Sequence, residues 1–307
     1  MNSFNRENFW TAVKLAVFVL MTWVIVSRIF FSSDFKEQYN FFVQHMQQQT
    51  MLPLVFAVFL MPLNWILETL KWKLLIQAKS SLLNLLKSVL AGVTLGFVTP
   101  ARSGEFIGRV MYLDDDDKAK VFYLSTIGGI AQTAATLIAG TLFLMQWTAD
   151  TFLWGLCLGG AVSFLFFYFR FDMFNRLLFS IPFLQKNSLV IENEELPSVK
   201  VSIQVLFVSL LRYGVYLFQY VLLLSFFGVG QNYFTLTVYG GVWLVVQTFS
   251  PLMPLLDISY RGGTALYVFG AVSENNLAIL SAVTTVWFLN LALPAVVGYL
   301  FILQKKT

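Results

Sequence analysis

One cysteine and one histidine are all that 307 residues hold of two common metal ligands. Cys157, standing alone, excludes an internal disulfide and a cysteine-cluster metal centre. It lies in an apolar run and is expected as a packed thiol. His45, also alone, excludes a multi-histidine metal site. No nucleophile motif stands beside it, which argues against a Ser-His-Asp triad. Charge is scarce too. Only 12% of the residues are Asp, Glu, Lys or Arg, about half the ~25% of a soluble domain. The longest polar stretch, about residues 185–200, is too short for a separate soluble domain.

Oily residues fill the rest. The chain is 58% hydrophobic with a mean hydropathy of +0.72. That combination predicts an all-α polytopic membrane protein, one transmembrane domain over residues 1–307. Its formal net charge of +4 is expected to reflect cytoplasmic Lys and Arg, and not a nucleic-acid partner.

Apolar runs long enough to span, ~20 residues, are expected at 10–31, 51–76, 121–148, 151–169, 201–227 and 277–303. A cleaved signal peptide is the rival reading for the first, but no small-x-small site follows it. Residues 32–50, with His45 and five glutamines, read as a polar loop with the histidine solvated. Glu68, Lys71 and Lys73 fall in the last turns of the 51–76 run, and Glu68 and Lys71, three apart, can pair on one helix face. Trp65 and Trp72 suit the headgroup belt. Gly128, Gly129, Ala131, Ala134, Ala135, Ala139 and Gly140 give one span a small-residue face for close helix packing. Asp150 marks a short turn. Residues 174–183 read as an interfacial helix. The run Asp114-Asp115-Asp116-Asp117 reads as a solvated hairpin end, with an acidic metal cluster as the alternative. Arg212 falls near the middle of a span, where a charge is costly and marks a functional site or a buried ion pair, with Asp257 and Glu105 as the candidate acidic partners.

Two stretches are too short or too broken to be ordinary spans. Between Lys87 and Arg102 lie 14 uncharged residues, interrupted by Gly92, Gly96 and Pro100. Residues 234–256 contain Gly240-Gly241, Pro251 and Pro254, and are followed by Asp257 and Arg261. Short, Gly/Pro-interrupted segments at matching places in two halves point to a transporter-like site. The halves here are about 1–149 and 150–307. With the N-terminus in the cytoplasm, Lys71, Lys73, Lys79, Lys87, Lys118, Lys120, Arg170, Arg176, Lys186, Lys200, Lys305 and Lys306 all fall inside. That count requires six transmembrane helices plus two re-entrant hairpins, arranged as an inverted repeat, with both termini cytoplasmic.

Pro100, Arg102, Gly104, Glu105 and Arg109 form a P-x-R-x-G-E…R pattern. It resembles the signature of the lysylphosphatidylglycerol synthase transmembrane-region family, also called flippase-like proteins. The later segment 251–263 resembles that family's second Pro/Gly-rich stretch, with Asp257 where a Gly-x-Glu is usual. Full-length members add an aminoacyl-transfer domain that these residues do not contain. The resemblance therefore implies the lipid-handling module, in a bacterial cytoplasmic (inner) membrane, with no cofactor. Arg102, Arg109, Arg212 and Arg261 are expected to grip an anionic or phosphate-bearing lipid headgroup. Glu105 and Asp257 orient them or take a cation or proton; Gly104, Pro100, Pro251 and Pro254 shape the backbone. A purely structural Glu105–Arg109 pair is the bland reading of the first motif. The functional alternatives are a membrane enzyme using a polyprenyl-phosphate donor, with Glu105 or the Asp114–Asp117 run as base or metal ligand, and a membrane scaffold.

The topology is testable. With Cys157 replaced by Ala, a thiol introduced by Lys306→Cys should react only with a reagent applied to the cytoplasmic side. Labelling solely from outside would overturn the six-span arrangement.

Overall fold

In a computed structural model the protein is described at residues 23, 35–77, 80–99, 102–113, 118–171, 173, 196–249 and 254–304. All regular structure among them is helical. The expected first span apart from Trp23, the Asp114–Asp117 run, the interfacial helix at 174–183, Pro100, Pro251, Lys305 and Lys306 lie outside these residues.

The first well-formed helix is a departure from expectation. Most of the expected loop at 32–50 is helix instead: α1 runs over Phe35–Gln48. Glutamine is a good helix former, and no Gly or Pro interrupts the run. Phe42 stacks on Phe227 at 6.1 Å. His45 is not solvated either: it is half-buried, stacked on Phe41 and packed against Gly228. Gly228 has φ +83, and a Cβ there would strike the imidazole.

Five helices are long and apolar enough to cross a membrane. They are α2 (Leu52–Ile76), α5 (Lys118–Trp147), α6 (Thr151–Phe169), α7 (Val199–Phe226) and a composite helix near the end of the chain. The last consists of α10 (Asn276–Trp287), a π-helical turn at Phe288–Ala292, and α11 (Leu293–Gln304). Pro294 has no amide to give the carbonyl four residues back, and the helix widens one turn before it. Caps open most of these helices as short polar residues should. Asp150, Ser198 and Asn275 each accept a backbone N–H of the first turn. The chain is therefore a multi-pass helical membrane protein.

Between the spans lie two helix pairs that are shorter. The first is α3 (Leu82–Val98) with α4 (Glu105–Val110). The second is α8 (Tyr233–Thr248) with α9 (Pro254–Phe269). The expected break points need correction. Gly92 and Gly96 lie inside an unbroken α3, and Gly240-Gly241 inside an unbroken α8. The chain turns later. Thr99, ahead of Pro100, is extended (φ −106, ψ 147), as a residue before proline prefers. Pro254 opens α9, where its missing amide costs nothing.

The glycines serve contact instead. A Cβ on Gly92 would press on the Glu105 carbonyl, and one on Gly108 would collide with the backbone of Ala91 and Gly92. So α4 lies flat against α3. The small-residue face of α5 works the same way: Ala131, Ala134 and Ala135 are fully buried, and Gly140 receives Val245 of α8. Packing then links the halves. The central pair is α2 with α7; α11 closes on α3, and α5 on both α6 and α8. Trp65 and Trp72 are not headgroup anchors. They are 6% and 0% exposed in the core between α2 and its neighbours. Cys157 is buried as expected, its thiol 3.5 Å from the Leu137 carbonyl oxygen.

Gly108→Ala should therefore lower the melting temperature of the purified protein, at a cost of about 1–3 kcal/mol from overpacking against backbone. Gly159→Ala, where a Cβ meets nothing within 4 Å among the described residues, should leave it unchanged.

Candidate functional site

An acidic side chain on α2 gathers the charges of the interior. Glu68, on an otherwise oily helix, is 4% exposed. Its Oε2 accepts from Lys71 Nζ at 2.7 Å and from Arg212 Nη1 at 2.7 Å. Its Oε1 accepts from Arg109 Nη2 at 2.9 Å. The i,i+3 pairing of Glu68 with Lys71 is as the spacing predicts. Lys71 is only 3% exposed, so it is a buried partner of Glu68 and not one of the surface lysines that a positive-inside count relies on.

The turn between α3 and α4 supplies the next layer. Thr99 Oγ1 donates to the Leu95 carbonyl at 2.8 Å and accepts the Gly104 amide at 2.8 Å. Arg102 adopts φ +57, an uncommon backbone state for a non-glycine residue. Gly104 has no room for a Cβ, which would strike the Leu95 carbonyl. The turn thus sets Glu105 at the start of α4, where its Oε1 accepts from Arg109 Nη2 at 2.6 Å and its Oε2 faces Arg102 Nη2 at 3.1 Å. The Glu105–Arg109 pair expected on one helix face is present. Arg109 also stacks over Trp72, 4.7 Å from the ring centroid. Its Nε is buried with no partner among the described residues.

Arg212 does have a carboxylate partner, but not an expected one. Neither Asp257 nor Glu105 pairs with it; Glu68 does. Asp257 is engaged one helical turn along its own helix, by Arg261 Nε. Arg212 also donates from Nε to Asn64 Oδ1 at 2.7 Å and stacks over Trp65 at 5.6 Å. From Asn64 a buried amide chain continues. Asn64 Nδ2 donates to Asn290 Oδ1 (3.0 Å), Asn290 Nδ2 to Gln219 Oε1 (2.6 Å), and Gln219 Nε2 to the Ala57 carbonyl (2.7 Å). These bonds fix the fork of Arg212 from behind.

These groups face a cavity of about 580 Å³ lined by Glu68, Lys71, Arg102, Glu105, Arg109, Arg212, Asp257 and Arg261. The six charged residues expected at the headgroup site, Arg102, Glu105, Arg109, Arg212, Asp257 and Arg261, all reach it, from elements far apart in the chain. A smaller cavity of about 240 Å³ adjoins it and shares Arg102, Arg212, Arg261, Gln132 and Gln247. On another side of α8 and α9 lies an apolar groove of about 700 Å³, lined by residues such as Val246, Phe249 and Tyr267. Gln247, on the polar side, donates to Thr264 Oγ1, on the apolar side, at 3.0 Å. Among the described residues no three His, Cys, Asp or Glu side chains gather as metal ligands.

Three contributors escaped the sequence reading of the site. Glu68 and Lys71 were assigned to the end of a span, yet an acid within an apolar helix is by default functional, and that signal was available. The Asn64–Asn290–Gln219 chain carries no charge and left no such signal. No family model matches the chain, and no curated protein matches it either. What fold and site define is therefore a class: a multi-pass helical membrane protein with a charged cavity of about 580 Å³ between its helices.

Glu68 balances three cations, Lys71 and Arg109 buried and Arg212 half-buried, whereas Glu105 is partly exposed at its side chain. Glu68→Gln should cost about 3–5 kcal/mol, the range for breaking a buried pair. Glu105→Gln should cost clearly less. Comparing their unfolding midpoints in one detergent checks this; equal midpoints contradict the central role of Glu68.

Proposed function

We propose that the chain is a translocase for a membrane lipid with a phosphate-bearing or otherwise anionic headgroup. The observation that carries this reading is the cavity. Five cations and three carboxylates line it inside a protein whose remaining surface is largely apolar. Charges at membrane depth are costly and are kept where a substrate or ion pathway needs them. Four of the cations are arginines, whose planar fork matches phosphate oxygens. The apolar groove beside α8 and α9 offers hydrocarbon chains a surface next to that headgroup cavity.

The two short helix pairs act in this reading as re-entrant hairpins meeting at the cavity, within six spans arranged as an inverted repeat. One feature supports the equivalence of the pairs. Each carries on its second helix an acid with an arginine four residues later, Glu105–Arg109 and Asp257–Arg261, and in each the two are ion-paired. The positive-inside pattern supports cytoplasmic termini, and the motif's resemblance supports a bacterial inner membrane.

Reconstituted protein tests the reading through headgroup-dependent movement of labelled lipid across liposome membranes. Arg102→Lys keeps the charge but loses the fork, and Glu105→Gln keeps the size but loses the charge. Each should slow transport per folded protein by about tenfold, the effect of roughly 1.4 kcal/mol. Wild-type rates in both variants, with folding intact, would remove the hairpin from the mechanism.

A further inference from the structure

We propose that the cavity takes a phosphate group carrying two negative charges, the terminal phosphomonoester or diphosphate of a lipid, and not a phosphodiester headgroup. The proposal rests on the translocase reading above and narrows its substrate class.

Charge balance comes first. Along one wall Lys71, Arg102, Arg109 and Arg212 form a single connected cluster with Glu68 and Glu105. All four oxygens of those two carboxylates are already engaged by these cations. Four positive charges thus meet two negative ones. Across the cavity Asp257 and Arg261 neutralise each other. Among the described lining residues the excess is therefore two positive charges. An excess of that size in a membrane interior calls for a counter-charge of the same size.

Geometry says where that counter-charge sits. Arg102, Arg212 and Arg261 all line both the larger and the smaller cavity, so they converge on the junction between them. They come from three separate elements. They are also the least buried of the cavity's arginines, with side chains 45%, 21% and 19% exposed against 5% for Arg109. Each guanidinium is held along one edge, Arg102 through Nη2 by Glu105, Arg212 through Nη1 and Nε by Glu68 and Asn64, and Arg261 through Nε by Asp257, which leaves Nη1 of Arg102, Nη2 of Arg212 and both Nη of Arg261 without a partner among the described residues. A phosphomonoester carries about −1.5 to −2 charge at pH 7 and three strong acceptor oxygens. A phosphodiester brings a single charge and two such oxygens, and leaves one positive charge unmatched.

The probes are phosphatidic acid, phosphatidylglycerol with the same acyl chains, and inorganic phosphate, each titrated into the full-length protein in detergent at pH 8. Native mass spectrometry and thermal shift read the binding. Phosphatidic acid should bind roughly tenfold or more tightly than phosphatidylglycerol. The preference should shrink below about pH 6, where the monoester loses its second charge. Arg102→Gln, on a more exposed residue, should narrow it as well; the pH series needs no variant. Equal binding of the two lipids overturns the inference while leaving a translocase of singly charged lipids standing. Inorganic phosphate binding as tightly as phosphatidic acid supports the doubly charged site but overturns its lipid reading. Binding of none of the three overturns both.

Discussion

A carboxylate surrounded by three cations inside an oily helix is the arrangement on which the rest depends. Glu68 ties α2 to its own next turn through Lys71, to α4 through Arg109 and to α7 through Arg212. Each cation alone would be prohibitive at that depth. Together with the carboxylate they form a network whose members justify one another's burial. Because the three partners come from different elements, satisfying one acid also fixes how a span, a short helix and a second span sit. The indoles of Trp72 and Trp65 cover the guanidiniums with polarizable faces, so little of that network needs water.

Close backbone contact is the second constraint. Six residues of α4 would not be a stable helix by themselves. They hold because Gly108 and Gly92 let two backbones meet without side chains between them. Ser88 adds a bond from its hydroxyl to the Arg109 carbonyl at 2.7 Å. On the other side Thr94 reaches the Ala295 carbonyl at 2.7 Å, so α3 is locked between α4 and α11. The short turn carrying Arg102 and Glu105 is thus presented by a rigid platform, which is what a site needs to hold its geometry.

Much of this architecture was legible beforehand, and the failures have physical reasons. Long apolar runs declare spans because the bilayer sets their length, and five of the six expected ones are helices of the right extent. The pairs Glu68–Lys71 and Glu105–Arg109 follow from spacing along one helix face. Arg212 was recognisable as a residue in need of a partner, but spacing says nothing about which distant helix lies beside it. The candidates drawn from the two motifs were wrong because Asp257 is engaged by Arg261 on its own helix. Glycines were read as breaks when their lack of a side chain was being used for contact. Polar composition over residues 35–48 was read as loop, although glutamine favours helix and the helix docks by Gln38 on the start of α10.

The amide chain behind Arg212 has one more consequence. It runs unbroken from the charged cluster to the backbone of Ala57. Such a string of hydrogen bonds, if built from carboxylic acids, imidazoles or waters, would be a relay for protons. Asn64, Asn290 and Gln219 cannot serve as one, since an amide neither gains nor gives up a proton readily at ordinary pH. Each of their oxygens and nitrogens has at least one partner, the ends of the string being Arg212 and the Val286 and Ala57 carbonyls. The polar path that holds Arg212 in place is thus one that offers no relay for protons.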